Sequence, residues 1–474
     1  MARDGALVAP MSALGTRRPG SGLARGSLAG LAAAGGGAAS QFLIVLLITR
    51  SLDPDAAGAF FTATALCLML AGILRLDAGN GLIYALARRP RESSGRTVLW
   101  AALTPVAAVS ALAACAVTVF DGELAELTGV PDGVWPALAA TLPAVVLADV
   151  LVSATRGLGS MRPTLLLDGL GRPMGQLLLV AAGVLVGASL PILTAAWALP
   201  AVPATVLAAV WLRRHLPGST APPLGHGGGE MVAFRARGGD GMAAFRLARG
   251  GGGMAAFWRY TGPRSAAAAI QAVFQRLDIV IVAVLAGPAP AAVYTAATRF
   301  KVVGQLANQG LVQAVQPHLV RALADGDLAR ARRLYQTTTM WLVVLTWPIW
   351  LGYAALAPWL LPLFGPSYAD GVAIALVLSG TMVVATACGM VDVVLIASGR
   401  TAASLANTAC AVAVTIVVDV LLVPSHGALG AALGWSAGVL AKNALPLVQI
   451  SRRYGLRPFG RHSASAFRLR RVVV

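Results

Sequence analysis

The sequence predicts an all-α membrane protein of about twelve transmembrane helices, set as two six-helix lobes around a central cavity. Three observations predict it. Of the 474 residues, 57% are hydrophobic and 12% charged, whereas soluble domains carry roughly twice that charged fraction. Apolar runs near the ~20 residues that a bilayer crossing needs follow one another along the whole chain. The charged residues between those runs alternate in kind, as loops on opposite sides of a membrane do.

Residues 1–26 form a basic N-terminal tail with Arg3, Arg17, Arg18 and Arg25. The run from Ser27 to Ile48 is long enough to span and no small-x-small cleavage site follows it. It is therefore read as a permanent first helix rather than a leader. Runs at 27–49, 57–86, 97–119, 134–155, 164–187 and 190–212 make the N-terminal lobe, residues 27–212. Residues 213–264 read as a Gly- and Arg-rich cytoplasmic linker, in which MVAFRARGGDG (231–241), MAAFRLARGGGG (242–253) and MAAFWRY (254–260) repeat one short unit. Glycine at that density packs no core, and the Arg and Phe suit contact with anionic headgroups. Runs at 265–286, 291–316, 338–363, 371–397, 402–423 and 428–449 make the C-terminal lobe, residues 265–449, before a basic cytoplasmic tail at 450–474. The opening of the second helix, DPDAAGAFFTATALCLMLAG, resembles that of the eighth, GPAPAAVYTAATRFKVVGQ, as duplication of a six-helix unit would leave it.

The loops support the count. Arg88, Arg89, Arg91 and Arg96, then Arg156 and Arg162, then the linker, then Arg321, Arg330, Arg332 and Arg333, then Arg400 and the tail from Arg452 to Arg471 fall on one side. Asp53, Asp55, Asp121, Glu123, Glu126, Asp132 and Asp370 fall on the other, with only Arg50 at the margin. The positive-inside rule then places both termini in the cytoplasm and requires an even number of spans. The formal net charge of +18 is a topology signal on this reading, so no nucleic-acid partner is expected. Cys67, Cys115, Cys388 and Cys410 lie inside apolar runs as small hydrophobes, which argues against disulfides or zinc. No Walker A, HExxH or GxSxG pattern stands in a suitable soluble context, so no enzyme activity, cofactor or metal is expected.

Four segments in order, QRLDIVIVAVLAG with AAVYTAATRF (275–300), LFGPSYADG (363–371), ASGRTAASLANT (397–408) and VPSHGALGAALGWSAG (423–438), give the chain a family resemblance. It resembles the polysaccharide (Wzx-type) flippases of the multidrug/oligosaccharidyl-lipid/polysaccharide exporter superfamily. The resemblance implies two lobes around a cavity that opens alternately to either side, and an undecaprenyl-pyrophosphate-linked oligosaccharide as cargo. It further implies a place in cell-surface polysaccharide biosynthesis at the bacterial plasma membrane, among membrane lipids and polysaccharide assembly proteins. Related flippases often carry cations in the first helix, and this chain has none there.

An ionisable group at mid-bilayer costs ~2.5 to 3.5 kcal/mol or more, so it turns toward a cavity or a partner. At ~1.5 Å per residue, Arg276, Asp278, Arg299 and Lys301 fall near mid-depth. Arg299, Lys301 and Arg276 are the candidate cavity cations for an anionic substrate, and Asp278 the candidate for ion coupling. For Arg299 a second reading stands, an interhelical partner of Asp278 that only fixes packing. Arg75 and Asp77, deep in the second helix, are secondary candidates. Asp149, Asp168 with Arg172 four residues on, Asp392 and Lys442 fall toward helix ends, where snorkelling and local pairing account for them. Asp419 falls toward the outer end of the eleventh helix. Rival functions are an ion-coupled multidrug exporter, whose cavity should be apolar and acidic, a membrane-embedded sugar polymerase or ligase, and a non-transporting scaffold.

Overall fold

A computed structural model describes residues 20–87, 95–216 and 253–463. The first two copies of the tandem unit, the basic stretch Arg88–Arg91, the start of the N-terminal tail and the end of the C-terminal one lie outside the described residues. The described residues are almost wholly helical, with no strand among them.

The N-terminal lobe consists of α1 (Gly20–Ser51), α2 (Pro54–Leu74), α3 (Ala78–Ala87), α4 (Gly95–Val119), α5 (Asp121–Thr128), α6 (Val134–Ala139), α7 (Leu142–Gly157), a π-helical stretch (Thr164–Gly171) running into α8 (Arg172–Leu185), α9 (Leu190–Ala198) and α10 (Ala201–His215). The C-terminal lobe consists of α11 (Gly253–Ala286), α12 (Pro288–Thr298), α13 (Lys301–Ala324), α14 (Leu328–Leu360), α15 (Val372–Ala387), α16 (Val391–Ala397) and α17 (Thr401–Tyr454). Among the described residues, ten stretches are long and apolar enough to cross a membrane. Two more crossings complete the twelve. One arises because α17 is two helices joined at Gly427, whose φ of 53° is non-helical, and the other is α12 with α13, which are nearly continuous.

Local chemistry sets the helix starts. Asp53 caps α2 by accepting from the Ala56 amide at 3.2 Å, and Pro54 follows with no amide to satisfy. The second span then breaks inside the run at 57–86 that the sequence predicts as one helix, at its charged residues. Leu76 and Asp77 both adopt positive φ, 50° and 52°, a conformation that costs a side-chain-bearing residue roughly 1–2 kcal/mol. Neighbouring groups hold this elbow. The Ser265 hydroxyl donates to the Leu76 carbonyl at 2.6 Å, Arg264 Nε to Asp77 Oδ2 at 2.9 Å, and Asn80 Nδ2 to Asp77 Oδ1 at 2.6 Å.

Several boundaries differ from those the sequence predicts: α1 opens at Gly20 rather than at 27 and α14 at Leu328 rather than at 338, and two more differences have a visible cause. Helix α11 begins at Gly253, so the last copy of the tandem unit is helical rather than linker. Its aromatic residues explain this: Phe257 is buried against Gly81, and Trp258 Nε1 donates to the Ala101 carbonyl at 2.9 Å. At the other end α17 runs on to Tyr454, and the chain folds back onto α14. There Gln336 Nε2 donates to the Arg457 carbonyl at 3.3 Å and Gln336 Oε1 accepts from the His462 amide at 3.2 Å.

The lobes meet at the acidic end and part at the arginine-rich end. At the acidic end Gly58 lets α2 press on Pro288, since a Cβ there would run into the Pro288 carbonyl. Gly129, at φ 67°, also sits against the Pro288 ring. Arg50 Nε donates to the Leu363 carbonyl at 2.6 Å. Deeper in, Phe42 of α1 packs edge-on against Phe300 and Phe364, both at 5.6 Å, and Phe300 stacks on Tyr353 at 4.5 Å. One apolar core consequently runs through the N-terminal lobe into the acidic half of the C-terminal lobe. The arginine-rich end of the C-terminal lobe has a separate core of Leu319, Ala322, Tyr335, Val394 and Ile450 with their neighbours. Helix α11 is the exception, because its arginine-rich half lies along α2, α3 and α4.

Candidate functional site

Three helices of the N-terminal lobe turn charge toward one space at the arginine-rich end. The elbow places Arg75, Asp77 and Asn80. Helix α7 places Asp149, Ser153 and Arg156 at helical spacing on one face. The π-helical stretch and the first turn of α8 place Asp168 and Arg172. Together with Leu68, Gly79 and Val150 these residues line a cavity of about 340 Å³. Gly79 allows α3 to approach α7 closely, since a Cβ there would stand 2.7 Å from the Ser153 hydroxyl oxygen.

The charges in this cavity are unevenly matched. Arg172 Nη1 lies 2.8 Å from Asp149 Oδ1 and 3.9 Å from Asp168 Oδ1, while Asp77 is engaged by Arg264. Each carboxylate therefore already has a guanidinium. Arg156 Nη2 donates to the Ser153 hydroxyl at 2.5 Å, and neither Arg156 nor Arg75 has a carboxylate within 4.0 Å among the described residues. Both side chains are exposed. Arg156 still feels the charge of Asp168 across the cavity, but two guanidiniums with ten donors between them and no carboxylate in direct contact suit a group with several anionic oxygens.

The mid-membrane candidates gather elsewhere, inside the C-terminal lobe. Asp278 is 5% exposed, and its Oδ2 accepts from the Tyr294 hydroxyl at 2.6 Å. Arg276 and Arg299 stand close enough to feel its charge, but among the described residues neither makes an ion pair with it. The expected interhelical pair with Arg299 is thus replaced by the tyrosine hydroxyl, and Arg299 Nε is buried without a hydrogen-bond partner. Asp419, which the sequence places near a helix end, is fully buried beside this group with both carboxylate oxygens unpartnered. The missing Cβ of Gly434 makes room for it. The backbone of Lys301 opens α13, and its side chain lies outside the described residues.

The structure therefore unites Arg276, Asp278 and Arg299 in one cluster and Arg75 and Asp77 in another, and it brings in Asp149, Arg156, Asp168 and Arg172 beside the second. Sequence reasoning set Asp149, Asp168 and Arg172 aside as helix-end residues explained by local pairing, and counted Arg156 only as a loop charge; that these helix ends border one cavity depends on tertiary packing. Asp168 lies within the π-helical stretch and Arg172 directly follows it. The i,i+4 spacing of Asp168 and Arg172 and the i,i+7 spacing of Asp149 and Arg156 were the available signals.

No family model matches the chain, and no curated protein matches it by sequence. Its fold does match solved structures. It is similar to the lipid II flippase MurJ in an inward closed conformation, with TM-score 0.69 and 11% identity over 94% of this chain and 90% of that one. It is similar to an inward-facing multidrug resistance MATE family transporter of the MOP superfamily, with TM-score 0.64 and 15% identity over 88% and 94%. It is also similar to a MOP superfamily transporter from Pyrococcus furiosus, with TM-score 0.56 and 15% identity over 92% and 93%. The chain thus has the twelve-helix, two-lobe fold of MOP superfamily transporters, as its sequence predicts.

Proposed function

We propose that this protein flips an undecaprenyl-pyrophosphate-linked oligosaccharide from the cytoplasmic to the outer leaflet of a bacterial plasma membrane by alternating access. The observation that carries the reading is the pair of unmatched guanidiniums, Arg75 and Arg156, on the wall of a cavity at the end where the lobes part. A drug exporter selecting cations would gain nothing from them. The positive-inside rule makes that end cytoplasmic, with both termini there, so the cavity faces the leaflet in which such a cargo is assembled. The fold relatives include both a lipid II flippase and multidrug transporters. It is the two arginines on this cavity wall without a direct ion pair that favour the first kind of cargo.

The second cluster supplies a place for a coupling ion. Two neighbouring buried carboxylates, Asp278 and Asp419, the latter with no partner on either oxygen, suit a proton or a monovalent cation. Arg276 and Arg299 beside them then tune that site rather than hold cargo. Replacing Asp419 by Asn, which keeps the shape and removes the charge, is expected to leave cargo binding within about twofold. It should lower gradient-driven transport by about tenfold or more, the factor that about 1.4 kcal/mol of lost coupling represents. Transport in proteoliposomes with and without an imposed gradient checks this.

The reading as a whole is tested by complementation of a strain lacking its own lipid-linked-oligosaccharide flippase. Surface polysaccharide should return with the parent chain and not with the Arg75→Gln, Arg156→Gln variant at equal protein level. Restored drug efflux without restored polysaccharide would favour the multidrug alternative instead.

A further inference from the structure

The strained elbow of the N-terminal lobe is fastened by a helix that belongs to the other lobe. Of the groups that hold Leu76 and Asp77 at positive φ, Ser265 and Arg264 both come from α11. Asp77 uses one oxygen for Arg264 and the other for Asn80. Its side chain is 9% exposed, whereas that of Arg264 is 50% exposed. Asp77 lines the charged cavity two residues from Arg75. Arg264 does not itself line the cavity; it is joined to the cavity wall through Asp77, which holds this half-exposed guanidinium at 2.9 Å.

We propose that Asp77 is a built-in competitor for the cargo's pyrophosphate, and that the cargo takes Arg264 from it. The inference rests on the anionic-cargo reading above. A pyrophosphate offers more oxygens and more charge to a guanidinium than one carboxylate does, so the exchange is favourable once the cargo is seated on Arg75 and Arg156. Arg264 then adds a cation from the second lobe, and the cargo bridges both halves of the transporter. Losing Arg264 removes one of the two ties from α11 to the elbow. Leu76 and Asp77 are then freer to return to helical φ, which joins α2 and α3 more nearly in line. The differential contact required of a ligand that shifts a conformational equilibrium is supplied by this exchange, since the bound and free states use Arg264 differently.

The test uses the purified full-length chain with farnesyl diphosphate as the probe and farnesol as its uncharged control. Removing the competitor with Asp77→Asn is expected to tighten farnesyl diphosphate binding roughly fivefold, the factor that about 1 kcal/mol for a partly exposed pair represents. Arg264→Gln should weaken binding by a similar factor. Amide exchange at Ala78 and Gly81, whose N–H groups donate to Arg75 and Asp77 carbonyls across the elbow, should quicken when the probe binds the parent chain. It should already be quick in both variants. If Arg156→Gln abolishes binding while Asp77→Asn and Arg264→Gln bind as the parent does, the competition is refuted and the cavity reading stands. If the parent binds farnesyl diphosphate no better than farnesol, the cavity reading itself fails. Should Asp77→Asn not fold, Arg264→Gln decides alone, and parent-like affinity there overturns the proposal.

Discussion

Replacing Arg75 and Arg156 together with glutamine is expected to abolish binding of a polyprenyl pyrophosphate while leaving the fold intact. Both side chains are exposed in the cavity without an ion-pair partner among the described residues, so their loss strands no buried carboxylate. Charge-assisted hydrogen bonds contribute about 1.5–3 kcal/mol each, so losing one such contact from each residue should weaken binding by 10²-fold or more. Glutamine keeps donors but not charge, which separates attraction for the anion from packing. Arg172 serves as the contrast. It is already engaged by Asp149 and Asp168, and replacing it should destabilise the lobe by leaving two carboxylates unmatched. Equilibrium binding alongside thermal unfolding distinguishes the two kinds of arginine.

The second large effect is conformational. Substituting Gly58 by Ala should prop the acidic end open, because the new Cβ meets the backbone of Pro288 and not the flexible tip of a side chain. Overpacking of this sort costs about 1–3 kcal/mol, which moves a two-state equilibrium roughly 5- to 150-fold toward the state in which α2 and α12 are apart. Thr62 lies one helical turn further along α2 and is fully buried in the present state. In a background without the native cysteines, Thr62→Cys should therefore react with an impermeant thiol reagent from the acidic side only when Gly58→Ala is also present. Transport should fall in parallel, since a cycle that no longer closes at this end stalls.

Much of the architecture was legible because the bilayer constrains it so strongly. Runs of apolar residues of spanning length, separated by charged loops, left little freedom in the number of crossings. What escaped were departures from straight α-helix. Leu76 is not a residue that advertises positive φ, although Asp77 is of a type that tolerates it, and the elbow they form is held in part by Arg264 and Ser265, nearly 190 positions later. The segment Gly253–Arg264 read as linker because glycine and arginine dominate the copies before it, and only Phe257 and Trp258 hinted that the last copy packs. Asp419 looked peripheral by position, yet the absent side chain of Gly434 lets it sit fully buried. The mid-span charges do gather in two clusters, one in each lobe. Which charges are matched and which are free depends on partners far away in sequence, such as Arg172 with Asp149, and periodicity does not reveal them.

Leaflet exchange in proteoliposomes puts the central claim to its most direct trial. With the protein reconstituted alone, a fluorescent polyprenyl-pyrophosphate oligosaccharide in the inner leaflet should become accessible to an external quencher, and an uncharged glycolipid with the same sugar should not. Movement of cationic dyes with no movement of the pyrophosphate lipid would contradict the account.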